Sequence, residues 1–130
     1  GLIPLNLQIG ARLPAYASSG GRVLMAALQA PELEDVIEKT HFEQLTAYTK
    51  GPDALRAELQ KIRSDGYAIV DQELELGMRA LAVPGLDRRG TARFALNSSS
   101  HVSSVSMERI AQEYVPIMQD AAQKLTDILP

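Results

Sequence analysis

Residues Ser18, Ser19, Gly20 and Gly21 form a small polar turn that feeds straight into the apolar run Val23-Leu-Met-Ala-Ala-Leu28. At a helix start, two hydroxyls and two uncrowded backbone N–H groups meet the positive end of the helix dipole, a setting that favours a carboxylate or phosphate. Arg22, in the first helical turn, can grip a carboxylate bidentately, or instead meet a Glu or a neighbouring subunit. Tyr16 can offer its hydroxyl to a phenolic ligand or pack with its tip wet. Three other groupings invite chemistry. Asp71, Glu73 and Glu75 alternate like paired carboxylates, but strand alternation puts them on one solvated edge. His41 and His101 lie far apart with neither metal-ligand spacing nor thiolates, so no metal site is expected. Ser103, Ser104 and Ser106 near His101 lack a Gly-x-Ser-x-Gly elbow and read as helix caps, so no catalytic residue is assigned.

Bulk properties narrow the classes further. With 130 residues, 45% of them hydrophobic and 22% charged, the chain suits one globular domain with a real core. A net charge of −3 argues against a surface built to neutralise DNA phosphates. The chain has no cysteine, which excludes disulfides and thiolate chemistry and fits a reducing compartment. No secretory segment and no apolar run near membrane-spanning length is present, so a soluble, cytoplasmic protein is expected. The start at Gly1-Leu-Ile-Pro-Leu5, without methionine, suggests an excised domain.

The elements that must position these residues follow from periodicity. Leu2 to Ile9 alternates like a strand entering a turn at Gly10, with Pro4 suggesting an edge position. A first helix runs from about Ser19 to Leu28, apolar enough to be buried on most sides. Pro31 opens a second, with Leu33, Val36 and Ile37 on its inner face. Pro52 opens a third, in which Leu55, Leu59 and Ile62 share a face, Arg56, Lys61 and Arg63 form a wet one, and Gly66 closes it. Strands are expected at Tyr67 to Asp71, Arg79 to Pro84 and Thr91 to Ser99, the last two joined by a turn at Asp87-Arg-Arg-Gly90. Asn97 and Ser99, two apart, project to one face, and Phe94 and Leu96 to the packed one. Arg93 lies on the polar face near the turn and is read as solvent-exposed. A final helix carries Ile110, Tyr114, Ile117, Ala121, Leu125 and Ile128 on one side, with a kink or restart near Val115 imposed by Pro116. This order is α+β.

Gly10-Ala-Arg-Leu-Pro-Ala-Tyr-Ala-Ser-Ser-Gly-Gly-Arg22, Asp53-Ala-Leu-Arg56, Arg63-Ser-Asp-Gly-Tyr-Ala68, Glu73-Leu-Glu-Leu-Gly-Met-Arg79, Ala82-Val-Pro84 and Ala95-Leu-Asn97 occur in an order and spacing that resemble the C-terminal effector-binding domain of IclR-family bacterial transcription regulators. Leu13-Pro-Ala-Tyr16, Gly21-Arg-Val-Leu24 and Asp71-Gln-Glu-Leu-Glu75 are most similar to the branch controlling catabolism of protocatechuate and 4-hydroxybenzoate. The resemblance implies a GAF-like α+β fold with a curved antiparallel sheet flanked by helices. It also implies a winged helix-turn-helix in the whole regulator, absent from this chain, and a homodimer or homotetramer built on exposed apolar parts of the second or final helix. Its small-molecule pocket maps onto Ser19, Gly20, Val70, Ala80, Asn97 and Ser99. Where the family carries an acid, this chain has Val70, which points to a more apolar ligand.

The expectation is therefore a non-enzymatic sensing domain, without cofactor or metal, whose residues 1–130 take a small, aromatic carboxylate effector through Tyr16, Ser18, Ser19, Gly20, Gly21, Arg22, Val70, Ala80, Asn97 and Ser99. DNA is contacted only through the missing N-terminal domain, and no membrane is involved. Two alternatives stay open: an oligomerisation module with a decayed pocket, and a small hydrolase using the acidic trio or Ser99 with His101.

Overall fold

Each helix begins where the sequence supplies a start signal. The computed structural model describes residues 13–130, so the strand expected at Leu2 to Ile9 and its turn at Gly10 lie outside the described residues. A 3-10 turn, Ala15–Ala17, leads into α1 (Ser19–Ala26). Ser18 is extended there, and its Oγ accepts from the Gly21 N–H at 3.2 Å, capping the helix. Gly21 is demanded by close approach, because a Cβ there would sit 2.5 Å from the Ala15 Cα and 2.6 Å from its carbonyl oxygen. Helices α2 (Ala30–Lys39) and α3 (Pro52–Asp65) carry proline in their first turns. Gly66, at φ +81°, ends α3 in the left-handed region as a C-terminal cap.

Three antiparallel strands follow in the order β1 (Ala68–Asp71), β2 (Met78–Leu86) and β3 (Ala92–His101). Cross-strand register aligns Val70, Ala80 and Ser99 in one row and Ala68, Ala82 and Asn97 in the next, all on one face. That face packs against α1 and α3, where Leu55, Leu59, Ile62, Val23 and Met25 form the main core. The opposite face presents Ile69 and Leu81 to Ile110, Val115 and Met118 of the C-terminal helical segment. Helices thus cover both faces of a small antiparallel sheet, the α+β arrangement expected. Complete burial of Leu55, Leu59, Leu81 and Ile110 contributes about 1.5–3 kcal/mol apiece. Phe94 and Leu96 are half-buried rather than fully packed, and the Phe94 ring lies over Gly85, a position with no room for a Cβ.

Three expectations need correction. First, the acidic trio does not share an edge. Strand β1 ends at Asp71, and Gln72 at φ +59° breaks the alternation, so each carboxylate goes its own way. Asp71 pairs with Arg79 at 3.0 Å, Glu75 is exposed, and Glu73 turns inward to 3% exposure. There Glu73 receives Arg22 Nη2 at 2.6 Å and Nη1 at 3.0 Å, while Arg22 Nε donates to the Tyr16 carbonyl at 2.8 Å. Lys50 Nζ completes the cluster at 3.2 Å from the second Glu73 oxygen.

Second, Arg63 on the outer face of α3 is not simply wet. It donates to the Ala26 and Leu28 carbonyls, satisfying the C-terminal end of α1, whereas Lys61 is exposed and Arg56 grips Glu34 on α2. Third, the restart expected near Val115 is present, but it rotates the final helix and changes its inward face. A single turn, α4 (Met107–Arg109), capped by Ser106, opens into a π-helical segment at Ile110–Tyr114 before α5 (Val115–Asp127). Pro116 has no N–H to bond the carbonyl four residues back, and the widened turn closes instead through Val115 N–H to the Ile110 carbonyl. The extra residue shifts the inward face to Val115, Met118 and Ala122, and leaves Ile117, Leu125 and Ile128 exposed.

The buried pair sets the first prediction. Glu73→Gln strands the Arg22 guanidinium without a counter-charge and is expected to cost about 3–5 kcal/mol in urea unfolding. Lys50→Met, on a partly exposed side chain, should cost under about 1 kcal/mol. Equal losses from the two variants would contradict this assignment. Gly21→Ala is expected to cost about 1–3 kcal/mol by the same measurement, through its collision with the Ala15 backbone. On the surface, the hydrogen bond from Arg56 holds the Glu34 carboxyl below its ordinary value. The α2–α3 tie is therefore complete above the ordinary carboxylate range and fades as pH falls through the lowered value. NMR titration should show Glu34 returning to the ordinary range in Arg56→Ala.

Candidate functional site

A cavity of about 430 Å³ lies between the N-terminal end of α1 and the front face of β2 and β3. Its helix side is Ser18, Ser19, Gly20, Gly21 and Leu24, with Leu13 and Ala17 at the approach. The sheet side is Val70, Met78, Ala80, Ala95, Asn97 and Ser99, and Leu74 from the β1–β2 connection closes one end. The helix start and the sheet thus converge because Ser18 caps α1 directly above the row Val70–Ala80–Ser99.

Among the described residues, no acceptor is bonded to the Ser19 or Gly20 N–H, whereas the Gly21 and Arg22 N–H groups are taken by the Ser18 side chain and carbonyl. Among the described residues, two donors of the first helical turn thus have no partner and can serve a ligand. Gly20 is again a matter of room, since a Cβ there would meet the Asn97 amide at 2.8 Å from Oδ1 and 3.0 Å from Nδ2. Without it, the Asn97 amide rests against the helix start, beside those N–H groups.

Every described residue lining the cavity is uncharged. Val70 is buried at 2% exposure where an acid would repel an anion, and Ala80 leaves the floor open. The arrangement can hold a small anion by neutral donors, namely helix N–H groups, the Asn97 amide and serine hydroxyls, with the rest of the molecule on Val70, Met78, Leu24 and Leu74. Two wider depressions, of about 890 and 600 Å³, have a different character. One lies at the β2–β3 turn among Arg88, Arg89, Arg93 and Asp127, and the other runs along α3 among Lys50, Glu58, Lys61 and Asp65. Both are lined in large part by charged side chains, the second also by Tyr67, Ile69 and Met107, whereas a small-molecule site sets a few convergent polar groups on apolar walls.

The structure brings together eight of the residues singled out in the sequence, Ser18, Ser19, Gly20, Gly21, Val70, Ala80, Asn97 and Ser99. It takes two away. Arg22 is fully buried with its guanidinium committed to Glu73 and the Tyr16 carbonyl, so it positions α1 and does not reach the cavity. Tyr16 is buried at 4% exposure, packs against Phe42 at a ring distance of 4.8 Å, and spends its hydroxyl on the Glu43 backbone N–H and carbonyl. Six lining residues escaped the sequence reading. Ala95 and Met78 follow from strand period two out of Asn97 and Ala80, and Leu24 from helix period four out of Gly20. Leu74 had no such signal, because the positive φ at Gln72 hides which way the connection turns.

His101 is bonded to Ser103, with no hydrogen bond to Ser99 among the described residues. Its Nδ1 lies 2.6 Å from the Ser103 Oγ and accepts from the Ser103 N–H at 3.1 Å, closing the turn after β3. His41 is exposed beside Glu43, and among the described residues no group of side chains is arranged to hold a metal ion. No described helix is long and apolar enough to cross a membrane.

With this geometry in hand, comparison with known proteins is direct. Residues 2–127 match the family model for the bacterial transcriptional regulator IclR C-terminal domain. The chain is 39% identical over 125 residues to the Pca regulon regulatory protein of Pseudomonas putida, covering 95% of this chain and 43% of that protein. It is 32% identical over 127 residues to the p-hydroxybenzoate hydroxylase transcriptional activator of Acinetobacter baylyi, covering 97% and 47%. The chain thus spans less than half the length of these curated relatives. Among solved structures, it superposes with a TM-score of 0.90 and 31% identity on the inducer-binding domain of a double mutant of the PobR transcription factor from Acinetobacter, in complex with 3-hydroxybenzoic acid, covering 98% of this chain and 74% of that one. The Thermotoga maritima IclR structure gives a TM-score of 0.89 at 26% identity, covering 98% and 51%. A cavity between a capped helix start and an antiparallel sheet, in a chain matched over nearly its whole length, places this protein in the IclR family of bacterial transcription regulators, as its C-terminal domain.

Proposed function

We propose that this domain is the sensing half of a transcription regulator, and that it binds a small aromatic carboxylate in the cavity at the start of α1. The observation that carries this reading is the chemistry of the lining: uncharged and largely apolar, with its few donors gathered at Ser19, Gly20, Asn97 and Ser99. A planar ring is matched by Val70, Met78, Leu24 and Leu74, and its carboxylate by the helix start. The relatives lend support, since one regulates the Pca regulon and another is seen in a structure with 3-hydroxybenzoic acid. DNA contact belongs to an N-terminal winged helix-turn-helix in the whole protein, and effector binding biases the regulator between DNA-binding arrangements through a differential affinity of a few kcal/mol.

Two rival readings fit the site less well. A decayed pocket would be filled by the protein's own side chains, whereas the floor here is alanine and valine around open space. A hydrolase would need a base beside Ser99, and His101 is held instead by Ser103.

Calorimetry and thermal melting test the proposal. At a hundredfold excess over its dissociation constant, 3-hydroxybenzoate should stabilise the domain by about 2.7 kcal/mol, a melting shift of roughly 8–12 °C. Val70→Asp should weaken that binding at least about tenfold by placing a like charge at the ring and carboxylate site. Ala80→Phe should abolish it by filling the floor. Binding of short aliphatic keto acids, with none of hydroxybenzoates, would overturn the aromatic assignment.

A further inference from the structure

Strand β1 pairs with β2 on one side only among the described residues. Register sets Ala68 opposite Ala82 and Val70 opposite Ala80, and the Gln72 N–H continues the ladder onto the Met78 carbonyl at 2.8 Å. In an antiparallel ladder the intervening residues turn their main-chain groups the other way. The N–H and C=O groups of Ile69 and Asp71 therefore point outward, and no described residue bonds to them. They run along the groove of about 600 Å³ beside α3. Its front wall carries Glu58, Lys61 and Asp65 of α3, and its back wall Met107, Glu108 and Ala111 at the start of the C-terminal helical segment. A groove with an open strand edge on its floor accepts an extended chain, whose main chain extends the ladder while its side chains alternate between the walls.

The walls select the chain that fits. Asp71 is already paired with Arg79, and Glu73, at the end of the groove, with Arg22 and Lys50. Glu58, Asp65 and Glu108 have no ion-pair partner among the described residues, and the one base left unpaired in the groove is Lys61. The surplus is acidic. Glu58 and Asp65 are two helical turns apart, about 10 Å along α3. Side chains on one face of a strand recur about every 7 Å, so successive long basic side chains reach both acids. On the back wall Met107 is 40% exposed and Ala111 is small, a surface that suits apolar side chains.

We infer that β1 is a docking edge for an extended peptide of a partner protein, one that alternates basic and apolar residues and joins the sheet as an antiparallel strand. Its basic side chains face α3 at Glu58 and Asp65, and its apolar side chains lie over Met107 and Ala111. The main-chain groups of Ile69 and Asp71 supply the ladder. A second copy of β1 does not meet this requirement, because its front-facing residues, Ala68 and Val70, bring no base to Glu58 and Asp65. The groove and the cavity at the start of α1 are separate, so this inference stands whether or not the cavity takes an aromatic acid.

Amide NMR titration of the chain with the synthetic peptide acetyl-Lys-Val-Arg-Val-Lys-Val-Arg-amide provides the test. In the antiparallel register the valines face the back wall opposite Ile69 and Asp71, so valine N–H groups enter the ladder and those of Lys and Arg point to solvent. Saturable shifts and slowed amide exchange are expected at Ile69 and Asp71. Methylating the valine main-chain nitrogens should weaken binding at least about tenfold, through several lost ladder bonds. Methylating the Lys and Arg main-chain nitrogens should leave it unchanged. Asp65→Lys and Glu108→Lys, at exposed positions and with folding confirmed by circular dichroism, should each weaken binding at least about threefold. Absence of binding, equal binding of the two methylated peptides, or equally tight binding of the same composition in the order Lys-Lys-Arg-Arg-Val-Val-Val would each overturn the docking edge.

Discussion

A guanidinium with no solvent exposure cannot be left without partners, and the arrangement that partners Arg22 organises the rest of the domain. Arg22 lies in the first turn of α1, and its three bonding nitrogens are spent on the Tyr16 carbonyl and on both oxygens of Glu73. The helix start, the 3-10 turn before it and the connection between β1 and β2 are thereby fixed to one another. Replacing such a pair with well-packed apolar groups can be neutral or stabilising, so its contribution is one of geometry more than of net stability. Losing one partner is a different matter, because the other keeps its charge in a place where water cannot reach it.

Geometry at this point is geometry of the cavity. Leu74 follows Glu73 directly and closes one end, and Ser19 and Gly20 precede Arg22 on the same helical turn. Arg22 and Glu73 neutralise each other, and the described lining of the cavity meets an anion with dipoles and hydroxyls. Neutral donors favour binding that is reversible and shape-dependent, as a sensor requires. The cavity floor and the inner side of α5 occupy opposite faces of β2: Ala80 lines the cavity, and Leu81 packs toward the helix. One strand thus separates the proposed effector site from the C-terminal helix.

Much of this was legible in the residues, and the failures have identifiable causes. Proline openers, the polar turn at Ser18–Gly21, the glycine close of α3 and the period-two alternation of β3 are local signals, and they located the helices, the hairpin and the cavity residues Ser18–Gly21, Asn97 and Ser99, while Val70 and Ala80 came only from the resemblance to the IclR family. The Arg22–Glu73 contact joins residues 51 apart, and only the left-handed turn at Gln72 aims Glu73 inward. Alternation, extended past Asp71, therefore misplaced it. In the final helix the kink or restart expected near Val115 is present, but its form, a widened turn that adds a residue, changes which half of the Ile110 to Ile128 period faces the sheet. In both places a single backbone departure, unsignalled at Gln72 and signalled by Pro116 without its sense of rotation, changed the facing of what came after.

The claim at the centre of this account is that the free N–H groups at the start of α1 receive the carboxylate of a small aromatic acid. Amide-resolved NMR titration with 3-hydroxybenzoate tests it most directly. The account predicts saturable shifts that are largest at Ser19, Gly20 and Asn97, with methyl shifts at Val70 and Leu74. Shifts confined to the Arg88–Arg93 groove, or an unperturbed Ser19 and Gly20 at saturation, would contradict it.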